Sequence, residues 1–220
     1  MYRILPILSA AEVAQCRDIA AAAQFADGRI TNPHNVAKNN QQMHDPSAYQ
    51  QSSELLRAAL LRSREFLDFS FLVSMAPPLI TRYQPGMKYG AHADAAFIQL
   101  PKIAIRSDLS CTIFLSDPAS YDGGELKVRL GDGELSFKLK AGEAIFYPSD
   151  SLHQVVPVTR GERLVAITFI QSRIQDPVRR NLLFELNEVA ALEGLKMAHD
   201  NYSRLQLVQQ SLLRNWSDVP

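Results

Sequence analysis

The sequence predicts a mainly β protein, a double-stranded β-helix (jelly roll) with helical additions at both ends. Three observations carry this. Seven short strand-like runs occupy residues 79–83, 109–115, 125–130, 135–139, 144–147, 153–157 and 163–171, with no helix-period segment between them. That texture argues for a sandwich or jelly roll rather than a βαβ fold. Next, Leu126, Val128 and Leu130 alternate with Glu125, Lys127 and Arg129, and Leu135, Phe137 and Leu139 alternate back after Gly131-Asp132-Gly133, the pattern of a hairpin. Finally, a strand from Arg163 places Val165, Ile167 and Phe169 on the arginine's face and Leu164, Ala166, Thr168 and Ile170 on the other. Both faces are largely apolar, so this strand should be buried on both sides.

The flanks read as helical. Ser9-Ala10-Ala11-Glu12 forms a capping box for a helix running to about Phe25, with Val13, Cys16, Ile19, Ala20 and Ala23 as its buried stripe. Asp27-Gly28-Arg29 reads as a turn. Residues 31–47 are polar around Lys38-Asn39-Asn40-Gln41-Gln42, which reads as a solvated loop or, near an active-site mouth, as a set of hydrogen-bonding groups for a substrate. A second helix is expected over 48–67, with Leu55, Leu56, Ala59, Leu60, Phe66 and Leu67 inward. Ala76-Pro77-Pro78 ends the helical part, because proline removes donors and fixes an extended backbone. In the tail, Asp176 as N-cap and Pro177 at the first helical position open a helix to about Leu192. Its apolar face is Leu182, Leu183, Leu186, Val189, Ala190 and Leu192. Beyond Gly194, a last helix near 201–216 offers Leu205, Val208, Leu212 and Leu213. The chain therefore divides into an N-terminal helical segment packed on the core (1–77), a jelly-roll domain (78–173) and a C-terminal helical segment (174–220). The last helices either cover a sheet face or form a homodimer interface.

At 220 residues the chain can bury a full core. Its 23 basic side chains equal its 23 acidic ones, which leaves no electrostatic case for nucleic acid or for an anionic membrane surface. No secretory signal and no apolar run long enough to span a bilayer is evident. Cys16 and Cys111 both sit in apolar elements and read as buried thiols, which suits a reducing cytoplasm.

The chemistry concentrates after the Pro85-Gly86 turn, in His92-Ala93-Asp94. On an extended segment, residues two apart point the same way, so an imidazole and a carboxylate converge as two ligands for a divalent metal. A third must come from elsewhere, and His153, 59 residues after Asp94, is the best candidate. Two His and one carboxylate on one face of an octahedron form the arrangement of non-haem Fe(II) oxygenases. The competing reading of the tripeptide is a surface histidine beside a solvated aspartate. Arg163 opens an apolar strand, where its planar fork either sits at the rim in water or holds an anion. Taken with His92, Asp94 and His153, the anion is the better reading. His34, His44 and His199 read as exposed or capping residues, and Asp117 and Asp150 as turn residues. Asp122-Gly123-Gly124-Glu125 is explained by a Gly-Gly turn entering a strand.

Lys38-Asn39-Asn40-Gln41-Gln42, Arg82-Tyr83 with Gly90-Ala91-His92-Ala93-Asp94, Phe114-Leu115-Ser116-Asp117-Pro118 and Tyr121-Asp122-Gly123-Gly124-Glu125-Leu126 resemble the bacterial PKHD-type hydroxylases. So do Tyr147-Pro148-Ser149 with Ser151-Leu152-His153, Pro157-Val158-Thr159-Arg160-Gly161-Glu162-Arg163, and the tail motifs Asn181-Leu182-Leu183-Phe184 and Leu212-Leu213-Arg214-Asn215-Trp216. These enzymes are Fe(II)- and 2-oxoglutarate-dependent dioxygenases of the prolyl-4-hydroxylase-like branch. The resemblance implies that His92, Asp94 and His153 bind iron and that Arg163 binds the distal carboxylate of 2-oxoglutarate. It places Tyr83 as a second hydrogen-bond donor to that co-substrate. It further implies O2 as co-substrate, ascorbate as a reductant, and hydroxylation of a small-molecule or peptidyl substrate with release of succinate and CO2. Ala95-Ala96, where members often carry Asn, and the apolar stretch 97–105 depart from the family pattern beside the metal ligands and bear on substrate identity. Two other classes are consistent with the residues alone: a cupin-like isomerase, against which Arg163 argues, and a non-catalytic iron or 2-oxoglutarate sensor.

Overall fold

The computed structural model describes residues 2–31 and 35–218, so His34 lies outside the described residues. The chain begins with β1 (Arg3–Pro6), α1 (Ala10–Ala22), β2 (Phe25–Asp27), β3 (Lys38–Asn39) and β4 (Gln41–Met43), followed by α2 (Pro46–Arg62), α3 (Arg64–Ser70) and β5 (Leu72–Met75). Next come β6 (Leu79–Tyr83), β7 (Lys88–His92), β8 (Phe97–Gln99), β9 (Ala104–Arg106), β10 (Leu109–Phe114) and β11 (Asp122–Gly123). The remaining strands are β12 (Leu126–Leu130), β13 (Gly133–Phe137), β14 (Glu143–Pro148), β15 (His153–Val155), β16 (Val158–Arg160) and β17 (Arg163–Ser172), before α4 (Pro177–Glu193) and α5 (His199–Trp216). All seven expected strand runs are present.

Two antiparallel sheets build the jelly roll. The larger runs β1-β14-β10-β17-β6-β4-β2, with β5 added against β17, and the smaller runs β13-β12-β15-β7-β3. One core lies between them: Tyr83, Phe114, Ile145, Tyr147 and Val165 from the larger sheet meet Leu126, Val128, Phe137 and Val155 from the smaller. A second core lies behind the larger sheet, where Val13, Cys16, Leu56, Leu60, Phe66 and Phe184 of the helices cover Ile80, Ile113, Phe146, Ala166 and Ile170. β17 is therefore buried on both faces, as its two apolar stripes predict.

Local chemistry accounts for the helices. Ser9 and Glu12 form the expected capping box on α1. This helix stops at Ala22 rather than Phe25, because Phe25 pairs with Met43 across β2 and β4 and sheet pairing overrides the helical period. The helix expected over 48–67 is two helices: Ser63 ends α2, and its hydroxyl accepts from the Phe66 N–H at 3.3 Å to start α3. Asp45 and Pro46 open α2 two residues earlier than expected. Asp176 caps α4, accepting from the N–H groups of Val178 and Arg179, each at 2.8 Å. Only part of the expected apolar face of α4 is covered. Leu183 and Phe184 are buried, whereas Leu182, Val189 and Leu192 are exposed, and α5 has no buried residue.

The polar run 38–42 is the clearest correction. Rather than a solvated loop, it is split between both sheets, β3 pairing with β7 and β4 with both β2 and β6. The period-two alternation turns Lys38, Asn40 and Gln42 inward, and all three are buried. Backbone pairing, on one side for β3 and on both for β4, compensates for the low strand propensity of these side chains.

Candidate metal centre and anion pocket

β7 ends at His92 and β15 begins at His153, and the two histidines are direct partners in the antiparallel pair. Asp94 lies just past the end of β7, where its N–H donates to the Ser149 carbonyl at 3.3 Å. The Asp94 carboxylate is 3.9 Å from His92 Nε2 and 3.5 Å from His153 Nε2, and the three potential ligand atoms all lie within 4.8 Å of one another. His92 Nδ1 donates to the Gly90 carbonyl at 2.8 Å and His153 Nδ1 to the Ser151 carbonyl at 3.0 Å. Each of these bonds puts the proton on Nδ1 and leaves a lone pair on the Nε2 that faces Asp94. Burial, with His153 close by, holds the pKa of His92 down to about 4, so its imidazole is neutral at ordinary pH. Tyr89 stacks on His92 with centroids 3.6 Å apart, and Ser110 Oγ donates to Asp94 Oδ2 at 2.5 Å. Ser110 in turn lies 2.9 Å from Ser149 Oγ, which is 2.8 Å from Ser107 Oγ. This donor set fits a divalent cation: two imidazoles and one carboxylate, each held by a second hydrogen bond.

Arg163 opens β17 opposite Tyr83 of β6. Its side chain is 1% exposed, it makes no ion pair among the described residues, and its buried Nε has no hydrogen-bond partner. The guanidinium lies 4.9 Å from the Tyr83 ring centroid and 5.5 Å from that of Phe114. Gly124 makes room for it: its φ is +69°, and a Cβ there would stand 3.0 Å from Arg163 Cδ. The Tyr83 hydroxyl accepts from Asn40 Nδ2 at 3.0 Å, which leaves its own proton to donate. One cavity is lined by His92, Asp94, His153, Tyr83 and Arg163 together. All five residues expected to carry the chemistry thus meet at one place.

Several contributors escape a sequence reading. Lys38 and Asn40 line the same cavity, and Lys38 Nζ donates to Thr31 Oγ1 at 2.7 Å. Burial draws the pKa of Lys38 down to about 8. Ser110 gives no signal inside an apolar strand, and Gly124 looks like an ordinary turn residue. The resemblance of the Lys38–Gln42 motif to the family was the one available sign. The residues assigned no chemistry behave accordingly: His44 and His199 are exposed, Asp117 caps a short turn by accepting from the Ala119 N–H at 2.8 Å, and Asp122 pairs with Arg160 at 2.6 Å.

Residues 78–171 match the 2OG-Fe(II) oxygenase superfamily, the class to which the jelly roll and the His-Asp-His cluster also point. Over nearly its whole length the chain belongs to the PKHD-type hydroxylases. It is 58% identical to the PKHD-type hydroxylase of Sphingopyxis alaskensis over 216 residues, covering 98% of this chain and 99% of that one. It is 40% identical to that of Methylobacillus flagellatus over 225 residues, covering 99% of each. The fold is shared with a Pseudomonas putida prolyl-4-hydroxylase (TM-score 0.53, 24% identity, 78% of this chain and 92% of that one). It is also shared with the viral collagen prolyl hydroxylase vCPH from Paramecium Bursaria Chlorella virus-1, solved with 2-oxoglutarate (TM-score 0.52, 20% identity, 78% and 96%). The protein is thus an Fe(II)- and 2-oxoglutarate-dependent hydroxylase, and the isomerase and sensor readings give way. No helix among the described residues is long and apolar enough to cross a membrane.

Proposed function

We propose that His92, Asp94 and His153 hold the Fe(II), and that Arg163, assisted by Tyr83, holds the distal carboxylate of 2-oxoglutarate while a small-molecule or peptidyl substrate is hydroxylated beside them. One observation carries this reading: a fully buried arginine, without an ion pair among the described residues, opens into the cavity that holds the His-Asp-His cluster. Burying an unpaired cation costs several kcal/mol, of order that of other buried charges, unless an anion offsets it. A dicarboxylate reaching from the cluster to Arg163 supplies that anion. When bound, Fe(II) supplies the redox chemistry that couples oxidative decarboxylation of 2-oxoglutarate to hydroxylation of a C–H bond. The chain's own residues bind and orient: Ser110 and the Gly90 and Ser151 carbonyls fix the three ligands, while Tyr83 and Phe114 flank the guanidinium.

An anaerobic titration with Fe(II) and then 2-oxoglutarate, followed by visible absorption, tests the assignment. A charge-transfer band should need both and vanish in His153→Ala. Arg163→Ala should keep iron and lose 2-oxoglutarate, whereas equal loss of both would make Arg163 structural.

The proposal includes ascorbate as a reductant, by analogy with the prolyl-hydroxylase branch, and a cytoplasmic location, which the two buried thiols Cys16 and Cys111 favour. It also takes 78–173 as the catalytic jelly roll, with 174–220 packed on it and 1–77 supplying not only covering helices, as expected, but also strands β1 to β5 of its two sheets, and excludes nucleic acid and membranes as partners. A homodimer through α4 and α5 is supported by exposed Leu182, Val189, Leu192, Leu207 and Val208. Light scattering on the eluting protein should then give twice the chain mass.

A further inference from the structure

Beside the cavity of the metal cluster lies a second, open one of about 490 Å³, within the range of small-molecule sites. The two share Lys38, Gln42, Tyr89, Asp94, Ile167 and Phe169, so the second opens directly onto the metal cluster. A third cavity, lined by Arg106, Asp108 and Asp176, meets the first only at Asp94. The second cavity is therefore the one with the broader opening onto the cluster. Its walls are mostly apolar and aromatic, including Tyr49, Leu79, Phe97, Leu100 and Phe169. Among the described residues, Lys38 is the one cation lining it and Asp94 the one carboxylate.

Lys38 is 6% exposed; among the described residues its ammonium makes one hydrogen bond, to Thr31 Oγ1, and stands 5.4 Å from the Tyr89 ring centroid. An ammonium has three N–H donors, so two are left without a hydrogen-bond acceptor among the described residues. The acids whose fields reach it are already committed, Asp94 to the metal and Asp27 to Arg29. With Fe(II) and 2-oxoglutarate in place, the two charges of the metal and that of Arg163 are offset by Asp94 and the dianion. Lys38 then stands alone as the uncompensated charge of the joined cavities. A buried, partly satisfied cation facing an open cavity is complementary to an anion.

We propose that the substrate is a carboxylate-bearing molecule whose anionic end binds Lys38 in this second cavity, with its apolar body along Phe97 and Phe169. The inference rests on the proposed iron and 2-oxoglutarate sites and names the substrate class for them.

Matched probes test it: N-acetylproline against N-acetylprolinamide, and hippurate against hippuramide, each differing in one charge. The protein is loaded with Mn(II) and saturating 2-oxoglutarate, so that Arg163 is occupied, and the probe's proton relaxation reports its approach to the paramagnetic ion. Each carboxylate should bind about tenfold better than its amide, and the preference should disappear in Lys38→Met and return in Lys38→Arg, while 2-oxoglutarate still binds both variants. Equal relaxation of acid and amide, no relaxation of either acid, or a preference surviving in Lys38→Met would overturn the proposal. Loss of 2-oxoglutarate binding in Lys38→Met would also overturn it and assign Lys38 to the co-substrate. Failure of the underlying site is distinguishable, since there 2-oxoglutarate would not bind the wild-type protein at all.

Discussion

Gly124 has no side chain, yet it decides whether Arg163 fits. Adding one methyl places a carbon 3.0 Å from Arg163 Cδ and 3.1 Å from the Tyr121 ring, at a φ that L residues rarely adopt. Gly124→Ala should therefore weaken 2-oxoglutarate about tenfold or more with iron affinity intact, as read in the anaerobic absorption titration. Ser110 acts on the other half of the site. Removing its hydroxyl leaves Asp94 without its 2.5 Å donor, and Ser110→Ala should cost about tenfold or more in iron affinity by competition with a chelator. His92 sets a pH dependence. Its pKa near 4 in the fold lies below the ordinary histidine value of 6.5, so between those values the unfolded chain binds more protons. Stability of the metal-free protein should fall as pH drops from about 6.5 through 4, and melting temperatures across that range would show it. His92→Gln should flatten the slope. At this scale the sequence was informative about charged residues and silent about small ones. An H-x-D and a lone arginine in an apolar strand announce themselves, whereas a serine and a glycine acquire meaning only from what packs against them.

Among the elements, β17 shows why most of the fold was legible: ten residues, two apolar stripes and one polar opening residue leave little choice of register. The strands β3 and β4 show the converse. Lys38, Asn40 and Gln42 carry no apolar alternation, and their inward course is imposed by partners far along the chain. The division at Ser63 was hidden for another reason, since the apolar stripe continues across the break and only the hydroxyl cap marks it. The packing of α2 and α3 behind the larger sheet is directly testable. Leu60 and Phe66 are fully buried, so Leu60→Ala should cost about 2–5 kcal/mol and Phe66→Ala about 3–5 kcal/mol in denaturant unfolding. The site should keep its absorption band wherever the variants remain folded, because this core lies on the far side of the sheet.

For the whole molecule, the jelly roll was legible and the fate of the tail was not. Amphipathic helices look alike whether they cover a sheet or meet another copy, and α5 leaves its Leu207 and Val208 largely in solvent. The pairing of His92 with His153 reaches furthest. These residues belong to strands distant in sequence, one reached by the turn at Pro85-Gly86 and the other by the turn that follows β14. A cation held by both would rivet β7 to β15 from the side, closing a long loop of chain with a bond that opens on chelation. Iron occupancy and mechanical integrity of the smaller sheet would then be one quantity. At a hundredfold excess over its dissociation constant the metal adds about 2.7 kcal/mol. A melting curve would thereby count loaded molecules, and a cell short of iron would hold this enzyme in a looser, more readily degraded form.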